Sequence, residues 1–238
     1  MQRAIAEHEI DATLLVVPPK AACASIREAL DAGIKTIVVT AEGIPLQDAL
    51  EIRRLGKLCG ATIIGSNSTG LLSTGKCMMG FFPVWLERVY QRGSIGVMTR
   101  SGSLTNEVTA QIIKAGFGTT TMVGVGGDAT TFTRFAELLP LFEADPETEA
   151  VVIIGELGGT MEEEVAEAIE NGIFTKPLVA SLGGRTAPKG TKMGHAGAII
   201  SAGKGSVQDK IDALTAAGAS VADRPSAVGR LLRERLGK

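Results

Sequence analysis

Short apolar runs alternate with amphipathic stretches along almost the whole chain, and most of the runs stop at glycine, proline or a small polar residue. Ala12-Thr13-Leu14-Leu15-Val16-Val17 is closed by Pro18-Pro19, and the helix-like stretch from Ala21 to Ala32 ends at Gly33, a typical C-cap residue. Lys35 to Thr40 is the next run, Leu46 to Leu58 the next amphipathic stretch, and Ala61 to Ile64 leads into Gly65-Ser66-Asn67. A strand that is apolar at nearly every position must be covered on both faces. That requirement points to a parallel sheet flanked by helices rather than to hairpins with one wet face.

The pattern breaks between residues 71 and 92, where Gly75, Gly80, Pro83 and the only Trp and Tyr of the chain fall; this stretch reads as a connector between two domains. It then restarts. Strands are expected at Ser94–Thr99, Thr119–Val125, Ala150–Ile154, Pro177–Ser181 and Ser220–Ala222. Helices are expected at Ser103–Ala115, near Phe132–Phe142, and at Met161–Asn171, Val207–Ala217 and Ser226–Leu236. Residues 93–238 form a complete doubly wound α/β unit by this reading, and residues 1–70 only part of one. Composition agrees: apolar residues make up 45% of the chain, aromatics 4%, and there are 30 glycines, as in a Val/Ile/Leu/Ala core with many tight turns.

Net charge is −2, so bulk electrostatics gives no reason to expect nucleic acid or an anionic membrane as partner. No apolar run is long enough to span a bilayer, and the first residues lack a signal-peptide profile. Cys23, Cys59 and Cys77 have no metal-ligand spacing and read as reduced thiols of a cytoplasmic protein, with Cys77 as packing rather than a nucleophile. His8 lies in a charged, exposed first turn.

In an open parallel sheet, ligands gather at the carboxyl ends of the strands. Three segments of the second half place unusual residues there. Arg100-Ser101-Gly102-Ser103 opens a helix with small hydroxyl residues, which serves either ordinary N-capping or an anion drawn to free N–H groups and the helix dipole. Gly155-Glu156-Leu157-Gly158-Gly159 pins a carboxylate between glycines, where a charge needs a partner. The run Glu162-Glu163-Glu164 that follows reads as a solvated first turn. Gly194-His195-Ala196-Gly197-Ala198-Ile199-Ile200, preceded by Thr186-Ala187-Pro188-Lys189-Gly190, exposes an imidazole among small residues. An imidazole with pKa about 6.5 is a competent nucleophile at cellular pH, and a carboxylate on Nδ1 would leave Nε2 free to attack. Gly203-Lys204-Gly205-Ser206 lacks the strand and spacing of a phosphate loop.

Together with Gly126-Gly127-Asp128, Glu42-Gly43-Ile44-Pro45, Thr175-Lys176-Pro177 and Gly65-Ser66-Asn67, these segments resemble the alpha subunit of succinyl-CoA synthetase and its relatives, NDP-forming acyl-CoA ligases that include ATP-citrate lyase. The resemblance runs in consistent order over essentially the whole chain. It implies a partial Rossmann-like CoA-binding domain followed by a flavodoxin-like doubly wound parallel-sheet domain. It further implies phosphorylation of His195 by ATP or GTP, with Mg2+, on a partner ATP-grasp beta-type subunit, then an acyl phosphate and a CoA thioester. Glu156 would steady His195, and Ser101, Gly102 and Ser103 would hold the phosphoryl group. Ala41, Glu42 and Gly43 match a CoA-contacting loop, and Asn67 and Asn106 would lie near the acyl acid. A non-catalytic or regulatory acyl-CoA-binding subunit is the alternative.

Three departures from the family pattern bear on function. The family's first strand and Gly-rich phosphate turn precede anything present here, so the CoA-binding part is expected to be truncated. Gly65-Ser66-Asn67 stands for the common Gly-Pro-Asn, and Asn106 stands where succinate-using members commonly have tyrosine. The last two point to a carboxylic acid other than succinate, more polar in character.

Overall fold

A computed structural model describes residues 1–185, 194–198 and 205–238. A short helix α1 (Gln2–Glu7) leads into β1 (Ala12–Leu15), α2 (Pro19–Asp31), β2 (Thr36–Val39), α3 (Leu46–Leu58) and β3 (Thr62–Ile64). These strands form a three-stranded parallel sheet in the order β1-β2-β3, with Leu14 opposite Val38 and Val38 opposite Ile64. Then follow β4 (Gly70–Ser73), β5 (Cys77–Gly80), β6 (Arg92–Thr99), α4 (Gly102–Lys114), β7 (Thr119–Gly124), α5 (Phe135–Ala144) and β8 (Ala150–Glu156). The chain closes with α6 (Met161–Glu170), β9 (Leu178–Gly183), α7 (Val207–Ala216), β10 (Ser220–Ala222), a 3-10 turn (Pro225–Ala227) and α8 (Val228–Leu236).

The larger sheet runs β10-β9-β8-β6-β7-β4-β5. Its five parallel strands, numbered by their own chain order, lie 2-1-3-4-5, the flavodoxin-like arrangement. The period-2 alternation of side chains divides each strand between two cores. Ile95 and Val97 of β6, with Val152 and Ile154 of β8, meet Val108 and Ile112 of α4 and Val228 and Leu232 of α8. Met98, Val151 and Ile153 point the other way, onto Phe135 and Phe142 of α5, Val165 of α6 and Leu214 of α7. All seven residues of β8 are buried, as a central strand covered on both faces must be.

Several elements differ from expectation for local reasons. The stretch 71–92 carries β4 and β5, a hairpin that joins the larger sheet through β4, antiparallel to β7. Phe132, expected in a helix, instead enters the core of the smaller sheet, where its N–H donates to the Gly65 carbonyl at 2.7 Å. The helix therefore starts at Phe135. The last helix begins at Val228 because Pro225 sets a 3-10 turn first. Cys77 is exposed on β5 rather than packed. Among the described residues no helix is long and apolar enough to cross a membrane.

Candidate active site

The chain moves outward from β6 to β7, then crosses back to β8 on the other flank of β6. The crevice at the carboxyl ends of β6 and β8 is thus a topological switch point, where ligands of such sheets bind. The turns after β6, β7, β8 and β9 all end there. A cleft of about 300 Å³ is lined by Ser101, Ser103, Glu156, Gly183, Gly184 and His195 among others.

Ser101 is the N-cap of α4, its Oγ accepting from the Leu104 N–H at 3.4 Å, and Gly102 is the first helical residue. No acidic residue occupies the first turn of α4, so the positive end of a 13-residue helix faces the cleft without an internal counter-charge. Thr99 supports this turn: its Oγ1 accepts from the Ser101 N–H at 3.0 Å and from the Thr105 hydroxyl at 2.9 Å. Ser103 Oγ lies 3.4 Å from Ser101 Oγ.

Glu156 ends β8 and is 8% exposed. Its Oε2 lies 2.9 Å and its Oε1 3.2 Å from His195 Nδ1. A carboxylate only accepts, so Nδ1 carries the hydrogen and Nε2 keeps its lone pair when the ring is neutral. The hydrogen bond to Glu156 raises the His195 pKa above its usual value. Burial and the Arg100 charge oppose it, while the Glu156 and Glu42 charges add to it. The ring rests on the backbone of Gly127: a Cβ built there would stand 2.5 Å from His195 Cγ.

Beneath this pair lies a charge network that sequence reasoning missed. Arg100 is 3% exposed, with Nη2 at 3.4 Å from Glu156 Oε1 and Nη1 at 3.4 Å from Glu162 Oε1. Arg100 Nη1 also donates to the Gly158 carbonyl at 2.9 Å. Glu162 is fully buried between Arg100 and Lys210 and also accepts the Glu156 N–H at 3.2 Å; it is not part of a solvated turn. Burial alone would raise its pKa, but the Arg100 and Lys210 charges outweigh burial and hold the carboxyl below its ordinary value. The signal was present, since Glu162 shares the helix face of Ala166 and Ile169.

The remaining candidates lie around the cleft without lining it. Gly43 closes the turn after β2 at φ +75, and its N–H donates to Asp128 Oδ2 at 3.0 Å. Glu42 is exposed and Ala41 buried. Asn67, at φ +52 after β3, donates its N–H to the Ala41 carbonyl at 2.8 Å. Asn106 stands three residues beyond Ser103 on α4, with its Oδ1 hydrogen-bonded by the Tyr90 hydroxyl. Tyr90 is held edge-on by Phe82, with ring centroids 6.2 Å apart, and burial pushes its pKa to about 12. Nothing in the sequence connected Tyr90 to this turn of α4. Thr186-Ala187-Pro188-Lys189-Gly190, Ile199, Ile200, Gly203 and Lys204 lie outside the described residues.

A profile described as CoA-ligase matches residues 98–220, and one described as CoA binding domain matches residues 1–43. The chain is 60% identical to the ADP-forming sulfoacetate-CoA ligase subunit SauD of Bilophila wadsworthia over all of its own length and 81% of that protein's. The chain belongs to the succinyl-CoA synthetase alpha-subunit family. Within that family it is 44% identical to succinate-CoA ligase [ADP-forming] subunit alpha 2 of Archaeoglobus fulgidus, over 98% of this chain and 80% of that one. The fold matches ATP citrate lyase from Methanothrix soehngenii, solved with citrate and coenzyme A, at TM-score 0.90 and 27% identity; 98% of this chain corresponds to 39% of that one. These sequence relatives are named as acid–thiol ligase subunits, and both a CoA-ligase and a CoA-binding part are represented here.

Proposed function

We propose that this chain is the phosphoryl-carrying alpha-type subunit of an ADP-forming acyl-CoA ligase whose acid is sulfoacetate or a similarly small, strongly polar acid. The observation that carries the reading is the His195 Nδ1–Glu156 contact in a cleft that also holds the N-terminus of α4.

An ATP-grasp partner supplies the nucleoside triphosphate with its Mg2+. Nε2 of neutral His195 attacks the terminal phosphorus as the bond to the NDP oxygen breaks, and the ring becomes cationic. Glu156, accepting the Nδ1 hydrogen, stabilises that cation. The Gly102 and Ser103 N–H groups, with the Ser101 and Ser103 hydroxyls, would bind the phosphoryl oxygens at the positive end of α4. Transfer to the acid carboxylate breaks the N–P bond and returns the imidazole to neutrality. Coenzyme A supplies the thiol that makes the thioester and releases phosphate. The Ala41-Glu42-Gly43 turn fits a CoA contact because the space above Gly43 is open: a Cβ added there would meet nothing within 4 Å.

Substrate choice rests on Asn106 and Asn67. A second sulfoacetate-CoA ligase subunit, from Acholeplasma, is 63% identical over 98% of this chain. A tyrosine hydroxyl that donates to Asn106 Oδ1 leaves the amide N–H groups for an acid's distal oxygens. The test is thioester formation by the complex with its ATP-grasp partner. Sulfoacetate should give a kcat/KM at least tenfold above succinate, malate or citrate, and preference for succinate overturns the assignment.

A further inference from the structure

Asp128 joins three turns of the site, and nothing in the chemistry above uses it. It is 6% exposed, and among the described residues its side chain is bonded through one oxygen: Oδ2 accepts the Gly43 N–H at 3.0 Å and the Ser66 hydroxyl at 2.7 Å. The first donor belongs to the turn after β2 and the second to the turn after β3. The Asn67 N–H to Ala41 carbonyl bond of 2.8 Å ties those two turns to each other. On its other side the Asp128 turn seats the histidine segment. Gly127 lies under the imidazole, its carbonyl accepts the Gly197 N–H at 3.0 Å, and a Cβ on Gly197 would stand 2.8 Å from the Asp128 carbonyl oxygen. Gly126 admits no side chain either, since a Cβ there would be 1.8 Å from the Ser66 carbonyl oxygen.

We propose that Asp128 is a positioning residue for the second half of the reaction, discharge of His195 onto the acid and coenzyme A. Through Ser66 and Gly43 it holds the acid-side and CoA-side turns at a fixed separation from the imidazole. This rests on the phosphohistidine reading and adds a division of labour to it. Glu156 and the start of α4 serve the loading of His195; Asp128, which among the described residues is hydrogen-bonded to neither, serves its unloading. Hydrogen bonds to a carboxylate are roughly twice as strong as neutral ones, which suits a joint that must keep two separate turns in register. Ser66 contributes a hydroxyl that a proline at this position lacks, so the joint has two donors in this chain.

The experiment uses the complex with its ATP-grasp partner and separates the halves. Loading is read as label passing from ATP to His195, and unloading as loss of that label on adding sulfoacetate and coenzyme A. Ser66→Ala and Asp128→Ala should load within about twofold of the wild-type rate and unload at least tenfold more slowly, with KM for acid and coenzyme A rising together. Asp128→Asn, which keeps an acceptor oxygen, should recover part of the loss. Equal slowing of both halves, or unloading at the wild-type rate, overturns the proposal. Ser66→Ala removes one hydroxyl and carries the test if Asp128→Ala does not fold. Absence of label on the wild-type enzyme is a different result and defeats the phosphohistidine reading itself.

Discussion

His195 and its two neighbours, Glu156 and Gly127, carry the proposed chemistry at the smallest scale. The pKa of His195 is raised, so the contribution of the His195–Glu156 pair to stability is complete below about pH 6.5 and is lost as pH climbs through the higher folded value. The proposed loading of the ring needs the neutral form, so its rate should rise with pH to a midpoint above that of a free imidazole. Glu156→Gln should move the midpoint down, followed by NMR titration of His195 alongside the loading rate; an unchanged midpoint contradicts the pairing. Gly127→Ala should displace the ring, because a methyl 2.5 Å from Cγ leaves it no seat. A fall in loading of more than tenfold without loss of folding is expected, and normal loading would place the ring elsewhere. Sequence alone exposed His195 and Glu156 through their glycine flanks. It gave Gly127 only within the matching segment Gly126-Gly127-Asp128; the seat it forms under the ring emerges only once two distant turns are adjacent.

At the scale of elements, β6, α6 and α7 are tied together by Arg100, Glu162 and Lys210. Removing one member of a buried charge network leaves the others uncompensated, which costs about 3–5 kcal/mol. Glu162→Ala should therefore lower stability by about that amount in denaturant titration, whereas a change below about 0.5 kcal/mol would mean a solvated side chain. Tyr90→Phe tests the 81–90 segment. Losing a hydrogen bond worth roughly 1 kcal/mol should raise KM for the acid about fivefold and leave loading untouched, read in the two half-reactions. Element positions were largely legible, since α3 and β10 run between the expected residues and most others shift by one to three. The β4–β5 hairpin was not, because Gly70, Gly75 and Gly80 sit at its ends and turn and look like linker residues. Glu162 reads as solvated because three consecutive glutamates resemble a helix start, although its spacing from Ala166 and Ile169 sets it on the inward face.

For the whole molecule, the 2-1-3-4-5 order of the parallel strands gathers the turns after β6, β7, β8 and β9 at one crevice. The alternating grammar of the sequence announced a parallel sheet, and the resemblance supplied its family. Neither supplied the joint at Asp128, because contacts between the smaller sheet and the His195 segment have no local signature. The measurement that bears most directly on the account is transfer of labelled phosphate from ATP to the chain in the presence of the proposed ATP-grasp partner. The label should be acid-labile and base-stable, absent in His195→Ala, and discharged by sulfoacetate with coenzyme A. Label that persists in His195→Ala, or none on the wild-type chain, contradicts it.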